Sequence, residues 1–195
     1  MKPYKGYKSE PSGIKKIDPL PAGAYVAKVK AVKIDGQEPD QALIIRLDVC
    51  EGEYTGYFMQ RYMQESKRAN GKYEPRYRGD YRIRIPNDEN TKAMYPESDE
   101  RNFNNMTYRF ESSNPGYHWD WNEQSLVGLV VGINMQQDEF NDVPFTRIGR
   151  LETADDVRKG LVKAMPPRKR KGDAYDGPID QQSGYVQVNT EEIPF

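Results

Sequence analysis

A segment that interleaves basic and aromatic side chains is the part of this chain whose residue types most clearly suggest chemistry. Between residues 61 and 84 the tyrosines alternate with arginines and lysines, and eight basic residues stand against three acids. Single-stranded nucleic acid presents a line of phosphates and a row of flat bases, so its binder needs cations and rings along one groove. The pattern therefore predicts a surface for an unpaired polynucleotide.

We expect the phosphate contacts of this surface to come from Arg61, Lys72, Arg76, Arg78, Arg82 and Arg84. The expected stacking rings are Tyr62, Tyr73, Tyr77 and Tyr81. Stacking on such rings contributes roughly 1–3 kcal/mol per base and tolerates any base sequence. The alternative is that the tyrosines are half-buried strand residues and that the arginines occupy the solvated face of a sheet.

The chain ends in an apolar tip that follows an acidic stretch. Residues 173–195 carry five acids and no Lys or Arg, and the last five residues are Glu191, Glu192, Ile193, Pro194 and Phe195. Phe195 combines a ring with the terminal carboxylate, which suits an apolar pocket beside a basic residue. We predict that this tip binds a partner protein, and the alternative is a chance ending on a frayed terminus.

Other residue types that carry chemistry are sparse. The single cysteine, Cys50, and the single histidine, His118, are too few for the common zinc sites. Asp48 and Glu65 are the only carboxylates in predicted strands, which is weak support for a two-metal nuclease. Nucleotide-binding, serine-hydrolase and zinc-protease motifs are missing from the sequence. We therefore predict a non-enzymatic protein without metal or cofactor. Trp119 and Trp121 lie two residues apart, so on an extended backbone their rings face the same way. We place this pair in the core or at its edge, and the alternative is that the two rings stack on bases.

Length and composition favour one domain with appendages. The chain has 195 residues, of which 36% are hydrophobic. It has no apolar run near the ~20 residues of a membrane span, and its N-terminal residues contain no apolar stretch typical of a signal peptide. Together with the single cysteine, these features predict a cytoplasmic protein.

The elements that must position these residues follow from periodicity. Strands are predicted over residues 24–34, 42–50 and 57–65, and a short arginine-rich strand over 81–85. Phe103, Met106 and Phe110 lie at helical spacing in a helix over 97–113. A hairpin follows, with strands at 129–135 and 144–151, and Thr153 begins a short capped helix.

This order predicts a mainly β protein with the OB-fold, a five-stranded barrel with a helix between strands three and four. That count leaves out the short arginine-rich strand, and a small sandwich is the competing architecture. The predicted organisation is a flexible N-terminal arm at 1–20, a nucleic-acid-binding domain at 21–162 and a disordered acidic tail at 163–195.

Two parts of the sequence carry family resemblances. The tip Glu191 to Phe195 resembles the acidic, Ile-Pro-Phe-terminated tail of bacterial single-stranded DNA-binding proteins. The region from Leu20 to Gly160 resembles a family of bacteriophage single-stranded DNA-binding proteins, through PAGAYVAKV, a helix ending in ESSNPG, SLVGLVVGINMQQDEF and ETADDVRKG. The resemblance implies an OB-fold, sequence-tolerant binding to single-stranded DNA in phage replication or recombination, and a tip that recruits proteins of those processes.

The residues alone leave other functions open. An adaptor could use the same arginines to bind a protein partner. An RNA-binding module is equally compatible with the residues, because no residue in the pattern distinguishes the sugar hydroxyl. The expected DNA groove lies across strands one to three and the segment from Arg61 to Arg84.

Overall fold

The computed structural model describes residues 18–87, 96–140 and 143–168. These residues form five strands, three α-helices and one 3-10 helix. In chain order they are β1 (Gly23–Asp35), β2 (Ala42–Val49), α1 (Tyr57–Ala69), β3 (Asp80–Arg84), α2 (Pro96–Ser113), the 3-10 helix (Glu123–Leu126), β4 (Val130–Phe140), β5 (Val143–Glu152) and α3 (Ala154–Arg158).

The strands form one antiparallel sheet in the order β3-β2-β1-β4-β5. This sheet curls into a nearly closed barrel, and α2 lies between β3 and β4 in the chain, as in an OB-fold. The predicted fold class is therefore confirmed. Inward-facing residues of all five strands and three side chains of α2 fill the interior; α2 contributes Phe103, Met106 and Phe110.

The predicted third strand at 57–65 is wrong, because these residues begin helix α1. The third strand of the sheet is instead β3, the short arginine-rich strand that the count had left out. Tyr57, Phe58 and Ala69 are buried at helical spacing, whereas Met59 and Met63 are exposed. A pattern of apolar and polar residues this short is compatible with the periodicity of a helix and with that of a strand.

Strand β2 supplies the group that stabilises the start of α1. Gly56, the residue before the helix, has a positive φ of 77° and no capping side chain. The buried carboxylate of Asp48 takes that role, because its Oδ1 accepts a hydrogen bond from Phe58 N at 2.9 Å. Burial raises the pKa of Asp48, while hydrogen bonds from the backbone N–H groups of Phe58 and Met59 oppose that shift.

The packed domain extends beyond both predicted boundaries. Leu20, assigned to the N-terminal arm, is buried in the core, and its backbone N–H donates to the Tyr57 hydroxyl at 2.9 Å. At the other end, residues 161–168 form a strap along the outer side of β4. Asn134 Nδ2 donates to the Lys163 carbonyl at 2.9 Å.

Two further contacts hold the strap. The guanidinium of Arg168 lies 3.3 Å from the buried carboxylate of Asp138. Met165 fills the space left by the missing side chain of Gly149, where a Cβ would lie 2.6 Å from Met165 Sδ. Residues 163–168, which the sequence placed in the tail, are therefore part of the packed structure.

A chain that ends at Val162 is expected to be less stable than the full chain by about 1–3 kcal/mol, because it loses the hydrogen bond from Asn134 to Lys163 and the packing of Met165 against Gly149. Urea unfolding followed by circular dichroism measures this difference. The matched control is a chain ending at Arg168, which keeps the strap and should unfold within about 0.5 kcal/mol of the full chain. Equal midpoints for the two truncated chains would contradict a stabilising role for the strap.

Candidate nucleic-acid interface

The outer face of β1, β2 and β3 carries a concentration of basic side chains. Leu43, Ile45 and Leu47 of β2 are buried in the barrel, so the alternate residues of these paired strands point outward. Lys33, Ile44 and Arg82 form one row across the three strands. Arg84 is exposed at the end of the neighbouring row, opposite Ala42.

A β-bulge in β1 places Lys33 on the same outer face as Lys28. Lys28 is paired with Asp48 before the bulge and Lys33 with Ile44 after it, and both partners lie on the outer face of β2. The register of β1 against β2 shifts between Val29 and Ala31, and Lys28 and Lys30 are exposed on either side of Val29. The bulge also changes which residues point inward. Ala27 and Val29 are buried before the bulge, whereas after it Ala31 is exposed and Val32 packs against the core.

Acidic residues offset only part of this charge. Asp80 is paired with Arg46, which binds its two carboxylate oxygens at 2.9 and 3.1 Å. Asp48 is buried beneath α1, and Asp35 lies 3.5 Å from the guanidinium of Arg82 in an exposed pair. The face therefore presents six basic residues against three acids: Lys28, Lys30, Lys33, Arg46, Arg82 and Arg84 against Asp35, Asp48 and Asp80. We name this surface the basic face.

The loop that leads into β3 continues the basic face along the chain. Asn70 and Gly71, predicted to form a turn, end α1 with φ values of 42° and 76°. Beyond them Lys72, Arg76 and Arg78 are exposed, as the prediction of phosphate contacts requires. Tyr73 is 57% exposed, so its ring is accessible to a base.

Tyr77 does not fit the predicted role of a stacking ring. Its side chain is only 4% exposed and packs between α1 and β2, and its hydroxyl donates to the Leu47 carbonyl at 3.0 Å. Phe58 and Tyr62 contact one side of the ring, and the Arg46 guanidinium lies 4.5 Å from its centroid. Burial raises the pKa of this phenol, so the ring stays neutral.

Three other residues predicted to contact nucleic acid are also partly buried by contacts within the fold. Tyr62 packs against Tyr77, and Tyr81 pairs with the buried Ile45 on the inward side of the sheet. Burial raises the pKa of Tyr81 as well. Arg61 is half-buried and is held by the Tyr57 hydroxyl at 3.0 Å and by Glu65 at 3.3 Å. The structure thus brings together Arg82 and Arg84 but does not align the four predicted rings.

The lysines of β1 and Arg46 of β2 are the members of the basic face that the sequence analysis missed. Both strands were predicted, but the expected site was placed on the arginine-rich segment that follows them. The signal that could have found Lys28, Lys30 and Lys33 is the occurrence of three lysines in one otherwise largely apolar strand.

The two tryptophans, predicted in the core or at its edge, differ in environment. Trp119 is half-buried and packs against the core beside Phe103, as expected. Trp121 is 70% exposed, so the expectation is wrong for this residue. Its backbone has a φ of 62°, which turns the indole out of the alternation assumed for an extended segment.

Metal-holding clusters and membrane-spanning helices are both missing from the described ranges. Within them, no group of three or more His, Cys, Asp or Glu side chains is arranged to hold a metal ion. The helices that the structure describes include none with the length and apolar character needed to cross a membrane. The tip at Glu191 to Phe195 and most of the predicted N-terminal arm lie outside the described residues.

Comparison with known proteins adds no relative: no protein-family model matches the chain, and no curated protein matches it. The two family resemblances therefore stay predictions from the sequence.

Proposed function

We propose that this protein binds single-stranded DNA without sequence preference and acts in phage DNA replication or recombination. The observation that carries the proposal is the excess of positive charge on the outer face of β1, β2 and β3. In OB-folds the outer surface around strands two and three is where oligonucleotides bind. The resemblance to phage and bacterial single-stranded DNA-binding proteins supports the biological setting.

The recognition that this surface supports is dominated by phosphates. Lys30, Lys33, Arg82 and Arg84 are exposed, and the loop before β3 adds Arg76 and Arg78. Tyr73 is the one exposed ring of the predicted four, so stacking on the predicted segment contributes less than the sequence suggested. Such a surface tolerates any base sequence because every nucleotide carries the same phosphate.

A salt titration with an oligonucleotide of deoxythymidine tests this proposal. Four to six phosphate contacts predict that the logarithm of the binding constant falls with the logarithm of salt concentration with a slope of about −3 to −4. Fluorescence anisotropy of a labelled oligonucleotide measures this slope, and magnesium in one series checks that the strand stays intact. No binding at low salt would reject the proposal.

A matched oligonucleotide of uridine in the same titration distinguishes the two nucleic acids. Tighter binding of the uridine strand would favour the alternative of an RNA-binding module. A protein adaptor, the other alternative, should bind neither strand at any salt concentration.

We assign partner recruitment to the tip at Glu191 to Phe195. The tip places apolar side chains directly after two acids, which suits capture by a pocket that combines apolar and basic groups. A chain that ends at Thr190 should keep its affinity for DNA and lose the replication or recombination proteins that co-purify with the full chain. Unchanged co-purification would contradict this assignment.

A further inference from the structure

An exposed tryptophan outside the basic face, Trp121, presents a flat ring surface that we name the platform. The indole of Trp121 is stacked on the ring of Phe103, with the centroids 5.9 Å apart and the planes 13° from parallel. Phe103 belongs to α2 and is buried in the core, so one face of the indole is fixed against the barrel. The side chain is nevertheless 70% exposed, which leaves the other face open to solvent.

The loop that carries Trp121 is held in one conformation. Asp120 Oδ1 accepts hydrogen bonds from Asn122 N at 3.1 Å and from the Ser125 hydroxyl at 3.2 Å. Ser125 is also bonded to the hydroxyl of Tyr117 at 2.9 Å. Between these contacts Trp121 has a φ of 62°, a left-handed conformation that is unfavourable for a bulky side chain. Residues with a strained backbone cluster at ligand-binding sites, and here the strained residue carries an exposed indole.

The same loop borders the basic face. The 3-10 helix that follows Trp121 packs against β1. Gly128 N donates to the Val29 carbonyl at 3.0 Å, and Val29 N donates to the Leu129 carbonyl at 2.9 Å. Val29 is the residue next to Lys30 in the bulge of β1. The loop therefore meets the sheet at the edge where the β1 lysines begin.

We propose that Trp121 stacks on a nucleobase of the strand whose phosphates lie on the basic face. This inference rests on the proposed function and adds a base site that the basic-aromatic segment does not contain. An indole that is supported on one face and open on the other matches the flat surface of a base. Asp120 and Glu123 lie in the same loop and would repel a phosphate, so the contact is to the base alone.

Because the platform contacts no phosphate, its loss should change the affinity for DNA without changing the salt dependence of binding. Replacing Trp121 with alanine should weaken binding of a long deoxythymidine oligonucleotide about 5- to 150-fold, the range for loss of one stacked base. The slope against salt concentration should not change, because no counterion-releasing contact is lost. Trp121→Phe should restore most of the affinity. Tyr108→Ala, which removes another exposed ring from α2, is the matched control and should bind as the wild type does.

Intrinsic fluorescence tests the same contact directly. The chain has two tryptophans. If Trp121 stacks on a base, the oligonucleotide should quench the emission of Trp119→Phe, in which Trp121 is the only indole, and should leave that of Trp121→Phe nearly unchanged. Thermal unfolding of each variant verifies that the fold is kept.

The outcomes separate this inference from the proposed function. If the wild type does not bind the oligonucleotide, the proposed function fails and the platform fails with it. If the wild type binds with the expected salt slope but Trp121→Ala binds equally tightly and without a change in quenching, only the platform is overturned. A change of oligomeric state in Trp121→Ala, measured by analytical ultracentrifugation, would show that a second copy covers the indole and would also overturn it.

Discussion

Replacing Tyr77 with alanine is expected to lower the free energy of unfolding by about 3–5 kcal/mol, the usual cost of deleting a buried aromatic side chain. The ring is 4% exposed and contacts Phe58, Tyr62 and the Arg46 guanidinium. Its hydroxyl also ties the loop before β3 to the Leu47 carbonyl of β2. Urea unfolding measures the change, and a large loss would place Tyr77 in the fold rather than on the DNA surface.

Two further variants show which part of Tyr77 matters. Tyr77→Phe keeps the packing and loses one hydrogen bond, so it should cost only about 1 kcal/mol. Tyr73→Ala is the matched control, because that ring is 57% exposed and should cost less than about 0.5 kcal/mol. If Tyr77→Ala were as stable as Tyr73→Ala but bound DNA more weakly, the original prediction of a stacking ring would be restored.

The different fates of these two tyrosines show what local sequence can predict about a binding surface. Tyr77 lies between two arginines and Tyr73 between Lys72 and Glu74, so the flanking charges would favour Tyr77 as the ring beside a phosphate. Burial of Tyr77 depends on contacts with β2 and α1, which are far from it in the chain. A pattern of residue types therefore identified the region and its charge, while tertiary packing decided which rings remain accessible.

Elements with strong local signals were predicted well. The helix with Phe103, Met106 and Phe110 and the hairpin of β4 and β5 follow their periodicity, and Thr153 accepts the expected capping hydrogen bond from Asp156 N at 3.2 Å. Helix α1 was mistaken for a strand because its start is stabilised by Asp48, a residue of the preceding strand. The predicted number of five strands is nevertheless correct, because β3 is the third strand of the sheet in place of residues 57–65.

The strap shows a second kind of contact that composition conceals. Residues 161–168 are rich in proline and charge, which is typical of a tail. They pack because the outer side of β4 offers Asn134 as a buried donor and because Gly149 leaves room for Met165. Neither feature is visible from the strap itself.

Removing charge from the basic face is expected to cause the second large effect, a loss of affinity for single-stranded DNA. Arg82→Gln combined with Arg84→Gln should weaken binding of a deoxythymidine oligonucleotide about 30- to 100-fold at 50 mM salt, and should make the salt slope shallower by about 1.4. Both side chains are exposed on β3, and the pair between Arg82 and Asp35 is a surface ion pair of little consequence for stability. The variant should therefore fold as the wild type does, and anisotropy titrations at several salt concentrations measure its affinity.

The matched control removes the same charge from another side of the barrel. Lys159→Gln combined with Lys163→Gln takes two exposed lysines from the end of α3 and the strap, next to a helix that packs on β1 and β4 rather than on β2 and β3. General attraction between a positive protein and DNA would weaken binding equally in both double variants. A localised basic face predicts a loss of affinity and slope for the β3 variant alone, because counterions are released only where side chains and phosphates meet.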